Sequence, residues 1–256
     1  DWVDSGRFPH RSHWNVYIAY FAGIFIDCPS CLGMEIVNNT DRVTRGDREL
    51  WDELLQVVIP KGRNIWAFAD DDSEKLNEVG RSFEFFVLPE NNEANVKKAM
   101  KDGNFFAASK YYKTTDGVGD FDGDGNVPLV TDIKVDQKAN TITVATDPTR
   151  DCRVIEWIAD GKVIATGNTI DLNDYEKDLG CYIRFQMKGS GGVTYSQPFE
   201  LQYKGRIDKP VPSWALWAFK TEAGQKFMKF YHSHSFALGA FIAEKIRILI
   251  EDNIKK

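Results

Sequence analysis

The stretch that decides the fold covers residues 32–73 and reads LGMEIVNNTDRVTRGDRELWDELLQVVIPKGRNIWAFADDDS. Its two ends are short apolar runs rich in β-branched and aromatic residues, which is typical of strands. Its middle carries apolar residues at helical spacing: Leu50, Leu54, Leu55 and Val58. The pattern therefore predicts a strand, a helix and a second strand. Two strands joined in this way are normally parallel, so both carboxyl ends meet at one edge.

Acidic side chains accompany both predicted strands. Glu35 stands near the end of the first, and the second ends in Asp70, Asp71 and Asp72. Three successive carboxylates repel one another, and in parallel α/β folds ligands and metals bind beyond the carboxyl ends of the strands. The sequence therefore predicts a cation at this edge. The alternative is a solvated acidic loop in which Asp72 or Ser73 caps the next helix.

Three further elements follow along the chain. SFEFFVLP, residues 82–89, predicts a strand because of its aromatic and β-branched residues. Residues 92–102 predict a helix, which Gly103 ends. GNFFAAS then predicts a return to extended structure. The apolar run at residues 14–26 predicts a buried helix that packs on the sheet.

The order EIVN, LWDELL, GRNIWAFADDDS and AMKDGNFFAAS resembles the closing part of the polymerase-and-histidinol-phosphatase (PHP) superfamily, a group of metal-dependent phosphoesterases. The resemblance covers residues 8–110. It implies a distorted βα barrel, a cluster of divalent metals (manganese, magnesium or zinc), and a phosphorylated small molecule as substrate. In that mechanism the metals activate a bound water, which attacks the phosphate.

The resemblance also implies roles for particular residues. Asp70 and Asp71 match the family's metal carboxylates, and Arg11 and Lys61 are suggested phosphate contacts. The family's last motif is Asp-x-His, but Ser73 stands here where the histidine would be. Because serine is a weak ligand for transition metals, a hard cation held by oxygen atoms suits this variant better.

Histidine ligands have two sources in this chain. The resemblance implies one on the N-terminal loop, where His10 is the match and His13 an alternative, although the family order His-Pro is reversed here. The second source is the His-x-His motif of His232 and His234, which would point to one side of a strand. The family has this motif at its start, so it is either a coincidence or a permuted part of the metal site. A surface histidine is the alternative for His10.

A second cation signal lies in the Gly- and Asp-rich segment 113–127. Three carboxylates stand there at alternate positions, followed by a glycine and an amide, as in the first half of a calcium loop. The candidate ligands are Asp120, Asp122, Asp124 and Asn126. The closing glutamate is absent, since Thr131 stands in its place, and Asp132 is the nearest substitute. The alternative is a flexible linker between two domains.

Residues 128–205 alternate apolar and polar positions with period two, and turn residues separate the runs. The pattern predicts an immunoglobulin-like β-sandwich with Trp157 in its core. Tyr182 matches a tyrosine corner, but Arg184 stands where the second cysteine of such domains would be. Residues 206–256 predict an aromatic segment and a C-terminal amphipathic helix.

Composition narrows the classes of protein. The 43% hydrophobic residues exclude a disordered chain, and the net charge of −6 argues against a nucleic-acid partner. No apolar run is long enough to span a bilayer. The four cysteines are Cys28, Cys31, Cys152 and Cys181, and free thiols or one disulfide are both open, with zinc only weakly indicated.

The predicted fold class is α/β plus all-β. It consists of a partial PHP-type domain (1–112), an acidic loop (113–127), an immunoglobulin-like β-sandwich (128–205) and the C-terminal segment (206–256). Two hypotheses of function follow. The first is a metal-dependent phosphoesterase, and the second is a non-catalytic barrel remnant that serves with the sandwich as a binding or structural module. The compartment and the oligomeric state stay open.

Overall fold

The computed structural model describes residues 14–40, 44–113, 120–202, 221–224 and 226. Strands predominate over helices in this part of the chain. The α-helices of the N-terminal half are α1 (Trp14–Asp27), α2 (Arg45–Val58) and α3 (Glu93–Asp102). The strands of the N-terminal half are β1 (Gly33–Asn38), β2 (Trp66–Asp70), β3 (Ser82–Phe86), β4 (Phe105–Ser109), β5 (Tyr111–Lys113) and β6 (Asp120–Asp122). Those that follow are β7 (Val130–Asp136), β8 (Thr141–Thr146), β9 (Val154–Ala159), β10 (Lys162–Thr166), β11 (Thr169–Asp171), β12 (Tyr182–Gly189), β13 (Gly192–Tyr195) and β14 (Phe199–Glu200).

The predicted strand-helix-strand unit is confirmed. β1 and β2 pair in parallel, with Gly33 opposite Trp66 and Asn38 opposite Asp70. α2 connects them and buries its apolar face completely, and the Trp51 indole N–H on this helix donates to the Ile65 carbonyl at 2.8 Å. The helices predicted at residues 14–26 and 92–102 are also present, the latter capped by the Asn92 side chain.

The remaining strands form mainly antiparallel sheets. The largest has the order β10-β9-β12-β13-β4-β3, with β14 also paired to β12. β13 pairs with β4, so one continuous sheet joins residues from both predicted domains. The β11-β8-β7 sheet packs against the large one over a core that contains the buried Trp157, as its alternating sequence predicts.

The predicted PHP-type barrel is wrong: the described residues form a β-rich structure without a closed barrel, and the class is not α/β plus all-β. The physical reason lies at the free edge of β2, where side chains take the place of a third parallel strand. The Gln197 amide accepts from the Ala67 N–H at 2.8 Å and donates to the Ala67 carbonyl at 2.9 Å. The Glu84 carboxylate accepts from the Ala69 N–H at 2.8 Å. The parallel sheet therefore ends after two strands.

A buried polar group joins α2 to the large sheet. Arg184 on β12 donates two hydrogen bonds to Asp52 on α2, at 2.7 and 2.6 Å, and the Tyr182 hydroxyl donates to the same carboxylate at 2.7 Å. The guanidinium also lies over the Trp51 ring, 5.0 Å from its centroid. Both charged side chains are almost fully buried, so the arginine at the expected cysteine position is an anchor for the helix.

Two predicted features need separate mention. The segment 113–127 contains β6, which pairs with β5, so it is not a linker throughout. The predicted C-terminal helix at residues 236–254 lies outside the described residues. No helix in the described part combines the length and apolarity needed to cross a membrane.

Candidate functional site

The acidic side chains predicted to share one edge do come together in part. We call Glu35, Asp70, Asp71 and Glu84 the acidic edge; they lie around the carboxyl ends of β1 and β2. The Asp70 carboxyl lies close enough to Glu35 for the two charges to interact, and the Glu35 carboxylate accepts a hydrogen bond from the Asn38 amide at 2.9 Å. Two neighbouring carboxylates repel each other, which favours the binding of a proton or a cation.

Burial raises the pKa of three carboxyls of the acidic edge: Glu35, Asp70 and Glu84. Loss of hydration raises the pKa of Glu35, and the nearby Asp70 charge adds to this effect. The pKa of Asp70 is raised for the same reason, although this residue remains open to solvent at the strand end. Burial raises the pKa of Glu84 to about 7, with smaller contributions from the charges of Asp70 and Asp71. Glu35, Asp70 and Glu84 therefore bind protons more readily than ordinary carboxylates do.

Asp71 has a different role from its neighbours. Its Oδ1 accepts hydrogen bonds from the backbone N–H groups of Arg81 and Ser82 at 2.6 and 2.8 Å, and its Oδ2 accepts from Gly80 at 2.7 Å. The carboxylate thereby closes the loop from β2 to β3. Asp72 follows with a φ of 46°, and its side chain is exposed.

The described residues do not by themselves assemble the metal cluster that the family resemblance implies, and the cluster stays a prediction. Both oxygens of Asp71 accept backbone hydrogen bonds, which leaves little of this carboxylate for a metal ion. Nowhere in residues 14–40, 44–113 and 120–202 do three or more side chains of ligand type gather around a point that could hold a metal ion. The predicted partners that lie outside the described residues are His10, His13, Arg11, His232 and His234.

Lys61, the other predicted phosphate contact, is exposed in the short turn after α2. This turn leads into the start of β2, whereas Asp70 is the last residue of that strand. The structure therefore places Lys61 at the opposite end of β2 from the acidic edge.

The segment predicted as a calcium loop is partly extended. Asp120 and Asp122 belong to β6, which pairs with β5, and the Asp122 carboxylate lies 3.5 Å from the Lys110 ammonium. Asp124 accepts from the Asn126 backbone N–H at 2.8 Å, and Gly125 adopts a φ of 87° in the turn. A calcium ion at this loop stays a prediction.

Sequence reasoning missed Glu84, which contacts the β2 backbone through its side chain. The signal for it is weak: a single acid inside the aromatic run SFEFF, at a position that the alternation assigns to one face of the strand. Gln197 gave no local signal, because its contact with Ala67 spans 130 residues of sequence.

An open groove lies at one end of the two packed sheets, with a volume of about 480 Å³. Its lining includes the half-buried apolar side chains of Leu172, Leu179 and Phe199. The lining also contains acidic and amide side chains, and its described residues include neither lysine nor arginine. The acidic and amide residues are Asp136, Gln137, Asn140, Asn173, Glu176, Glu200 and Gln202.

Comparison of the chain with protein-family models, with curated proteins and with solved structures gave no match. The resemblance to the PHP superfamily therefore rests on the quoted sequence segments alone and stays a prediction.

Proposed function

We propose that this chain is a non-catalytic module with a binding or structural role, the second of the two hypotheses. The observation that carries the proposal is the bonding of Asp71, whose carboxylate accepts three backbone hydrogen bonds at 2.6–2.8 Å. A carboxylate has about four lone-pair positions, so most of its capacity closes the loop before β3. Little of the Asp71 carboxylate is therefore left for a metal ion, about one lone-pair position on Oδ2.

The other members of the acidic edge have structural partners as well. Glu84 supports the backbone of β2, and Glu35 accepts a hydrogen bond from the Asn38 amide. Side chains with these tasks stabilise the parallel unit against the large sheet. They act in the same way whether or not the chain performs any reaction.

The groove supports a binding role. Its volume of about 480 Å³ lies in the usual range for ligand sites, and its lining combines apolar with polar side chains. Because its charged lining is acidic, the groove favours a cationic ligand such as the lysine side chains of a basic peptide.

A metal-dependent phosphoesterase is the second candidate. The observation in its favour is the raised pKa of Glu35, Asp70 and Glu84, three carboxyls near the ends of adjacent strands. A site of this kind would need imidazoles from residues outside the described part of the chain, such as His232 and His234.

Release of phosphate from an aryl phosphate distinguishes the two candidates. The assay is run with magnesium, manganese and zinc, with and without a chelator, and the metal content of the purified chain is measured. We expect no chelator-sensitive hydrolysis and no stoichiometric transition metal. Chelator-sensitive hydrolysis that Asp70→Asn abolishes, and that the exposed control Asp178→Asn retains, would overturn the proposal.

The binding role has its own test. A tetralysine peptide is titrated into the labelled chain while the backbone amide resonances are followed. We expect shift changes at the groove, for example at Asn173 and Glu176, that weaken when Glu176→Gln removes one carboxylate. If no resonance of the groove moves, the binding role is removed and the structural role remains.

A further inference from the structure

Two cysteines occupy a turn between α1 and β1. The Cys31 backbone N–H donates to the Cys28 carbonyl at 2.9 Å, which closes a four-residue turn with Pro29 at its second position. Proline favours that position because its ring fixes φ. In a β-turn the first and fourth Cα atoms lie within about 7 Å, and disulfides join Cα atoms about 4.4–6.8 Å apart. The turn therefore brings the two cysteines within bridging distance.

One side chain joins the last residue of this turn to the helix that precedes it. The Arg63 guanidinium donates to the Phe25 carbonyl in α1 and to the Cys31 carbonyl, both at 2.8 Å. The Cys28 backbone N–H also donates to the Ile24 carbonyl at 2.8 Å. Because the backbone is fixed on both sides, little conformational freedom remains to be lost when the two sulfur atoms join.

The two thiols differ in access. Both are free in the structure; Cys28 is exposed, whereas Cys31 is half-buried and packs against the core around α2. An exposed thiol next to a shielded one is the arrangement in which the first reacts with an external disulfide and the second resolves the product.

We propose that Cys28 and Cys31 form a reversible disulfide in exchange with small-molecule thiols of the glutathione class. The Cys28 sulfur attacks one sulfur of oxidised glutathione, forms a mixed disulfide and releases one glutathione thiolate. The Cys31 sulfur then attacks the Cys28 sulfur, forms the intramolecular bond and releases the second glutathione. The protein loses two electrons and two protons, and two molecules of reduced glutathione carry them.

The other cysteines serve as internal controls. Cys181 is buried and its thiol donates to the Leu55 carbonyl at 3.5 Å, while Cys152 is half-buried and burial raises the pKa of its thiol. Both properties oppose reaction with an external disulfide. Oxidation should therefore spare them.

The test uses the whole chain in buffers of reduced and oxidised glutathione. After acid quenching, free thiols are alkylated and the mass of the tryptic peptide of residues 12–42 is measured by mass spectrometry. This peptide contains Cys28 and Cys31 and neither of the other two cysteines. We expect this peptide to lose both alkylation sites and two hydrogen atoms, and to regain both sites when reduced glutathione is in excess.

Cysteine variants distinguish this disulfide from other modifications of the two thiols. Cys31→Ser should accumulate a mixed disulfide with glutathione on Cys28, whereas Cys28→Ser should react much more slowly. Two thiols that stay alkylatable in excess oxidised glutathione would overturn the proposal. Protection of the two thiols from alkylation that a chelator removes, without any change of mass, would also overturn it, because it would indicate bound zinc. A disulfide from either cysteine to Cys152 or Cys181 would overturn it as well.

Discussion

The Glu84 carboxylate on β3 accepts a hydrogen bond from the Ala69 backbone N–H on β2 at 2.8 Å. A side chain thus satisfies a backbone donor at a sheet edge where a neighbouring strand would normally do so. The same carboxyl has a pKa raised to about 7 by burial, so the contact between the two sheets depends on a group that titrates near neutral pH.

The first prediction concerns the pH dependence of stability through Glu84. The pKa of this carboxyl is about 7 in the folded chain and near 4.5 otherwise. The folded state therefore binds more protons between these values, and the free energy of unfolding falls as the pH rises through this window. Glu84→Gln keeps the acceptor oxygen and does not ionise. We expect it to match the wild type at pH 5 and to be more stable by about 1 kcal/mol at pH 8, after allowance for partial solvent exposure.

Urea unfolding at pH 5, 6, 7 and 8 measures this difference. Glu74→Gln is the control, because Glu74 is exposed and its side chain lies outside the acidic edge. The pKa of Glu35 and of Asp70 is raised as well, so Glu84→Gln should reduce the slope of stability with pH without removing it. Parallel curves for the wild type and Glu84→Gln would contradict the prediction.

The second prediction separates Asp71 from Asp70. Removal of the Asp71 carboxylate leaves three backbone N–H groups without their acceptor, so Asp71→Ala should lower the free energy of unfolding by about 3 kcal/mol. Asp71→Asn retains one oxygen and should lower it by about half as much. Asp70→Asn keeps a hydrogen-bonding group beside Glu35 and removes a charge, so it should be neutral or slightly stabilising.

Thermal and urea unfolding of the three variants test this order. Asp70→Asn and Asp71→Asn remove the same charge from adjacent positions, so each is the matched control for the other. Equal losses of stability in the two asparagine variants would show that charge, and not the closure of the loop, determines the effect.

The third prediction concerns the buried pair that joins α2 to β12. Loss of either Asp52 or Arg184 leaves the other charge buried without its partner. Asp52→Asn or Arg184→Met alone should therefore lower the free energy of unfolding by about 3–5 kcal/mol. The double variant buries no charge and keeps an acceptor for the Tyr182 hydroxyl, so it should recover most of that loss. A double-mutant cycle by urea unfolding measures the coupling; additive losses would contradict it.

Local sequence patterns predicted the individual helices and strands of this fold better than the contacts between them. The spacing of Leu50, Leu54 and Leu55 identified α2, and the alternation around Trp157 identified a buried strand, because periodicity reports which face of an element is covered. Periodicity does not report what covers that face. Asp52 and Arg184 lie 132 residues apart, so no local signal links them.

The lack of local signals for long-range contacts also explains why the predicted barrel is wrong. The two parallel strands were predicted correctly, but the barrel required β2 to pair with a further parallel strand. Whether that occurs depends on Glu84 and Gln197, which lie on other elements and reach the β2 backbone through their side chains. At the acidic edge, the sequence predicted that Asp70 and Glu35 lie near each other. It did not indicate that the Asp71 carboxylate accepts hydrogen bonds from the backbone of the loop before β3.

The last prediction concerns Gln197, which binds the N–H and the carbonyl of Ala67 as a neighbouring strand would. Gln197→Ala leaves two buried backbone groups unsatisfied and should cost about 2–4 kcal/mol. Gln197→Glu keeps the acceptor, loses the donor and buries a charge, so it should cost at least as much at pH 8 and less at pH 5, where the carboxyl can be protonated. Hydrogen exchange at the Ala67 amide locates the effect, because exchange there should accelerate more than at Val37, which lies on β1. Equal acceleration at both amides would mean that Gln197 supports the whole unit and not the edge of β2.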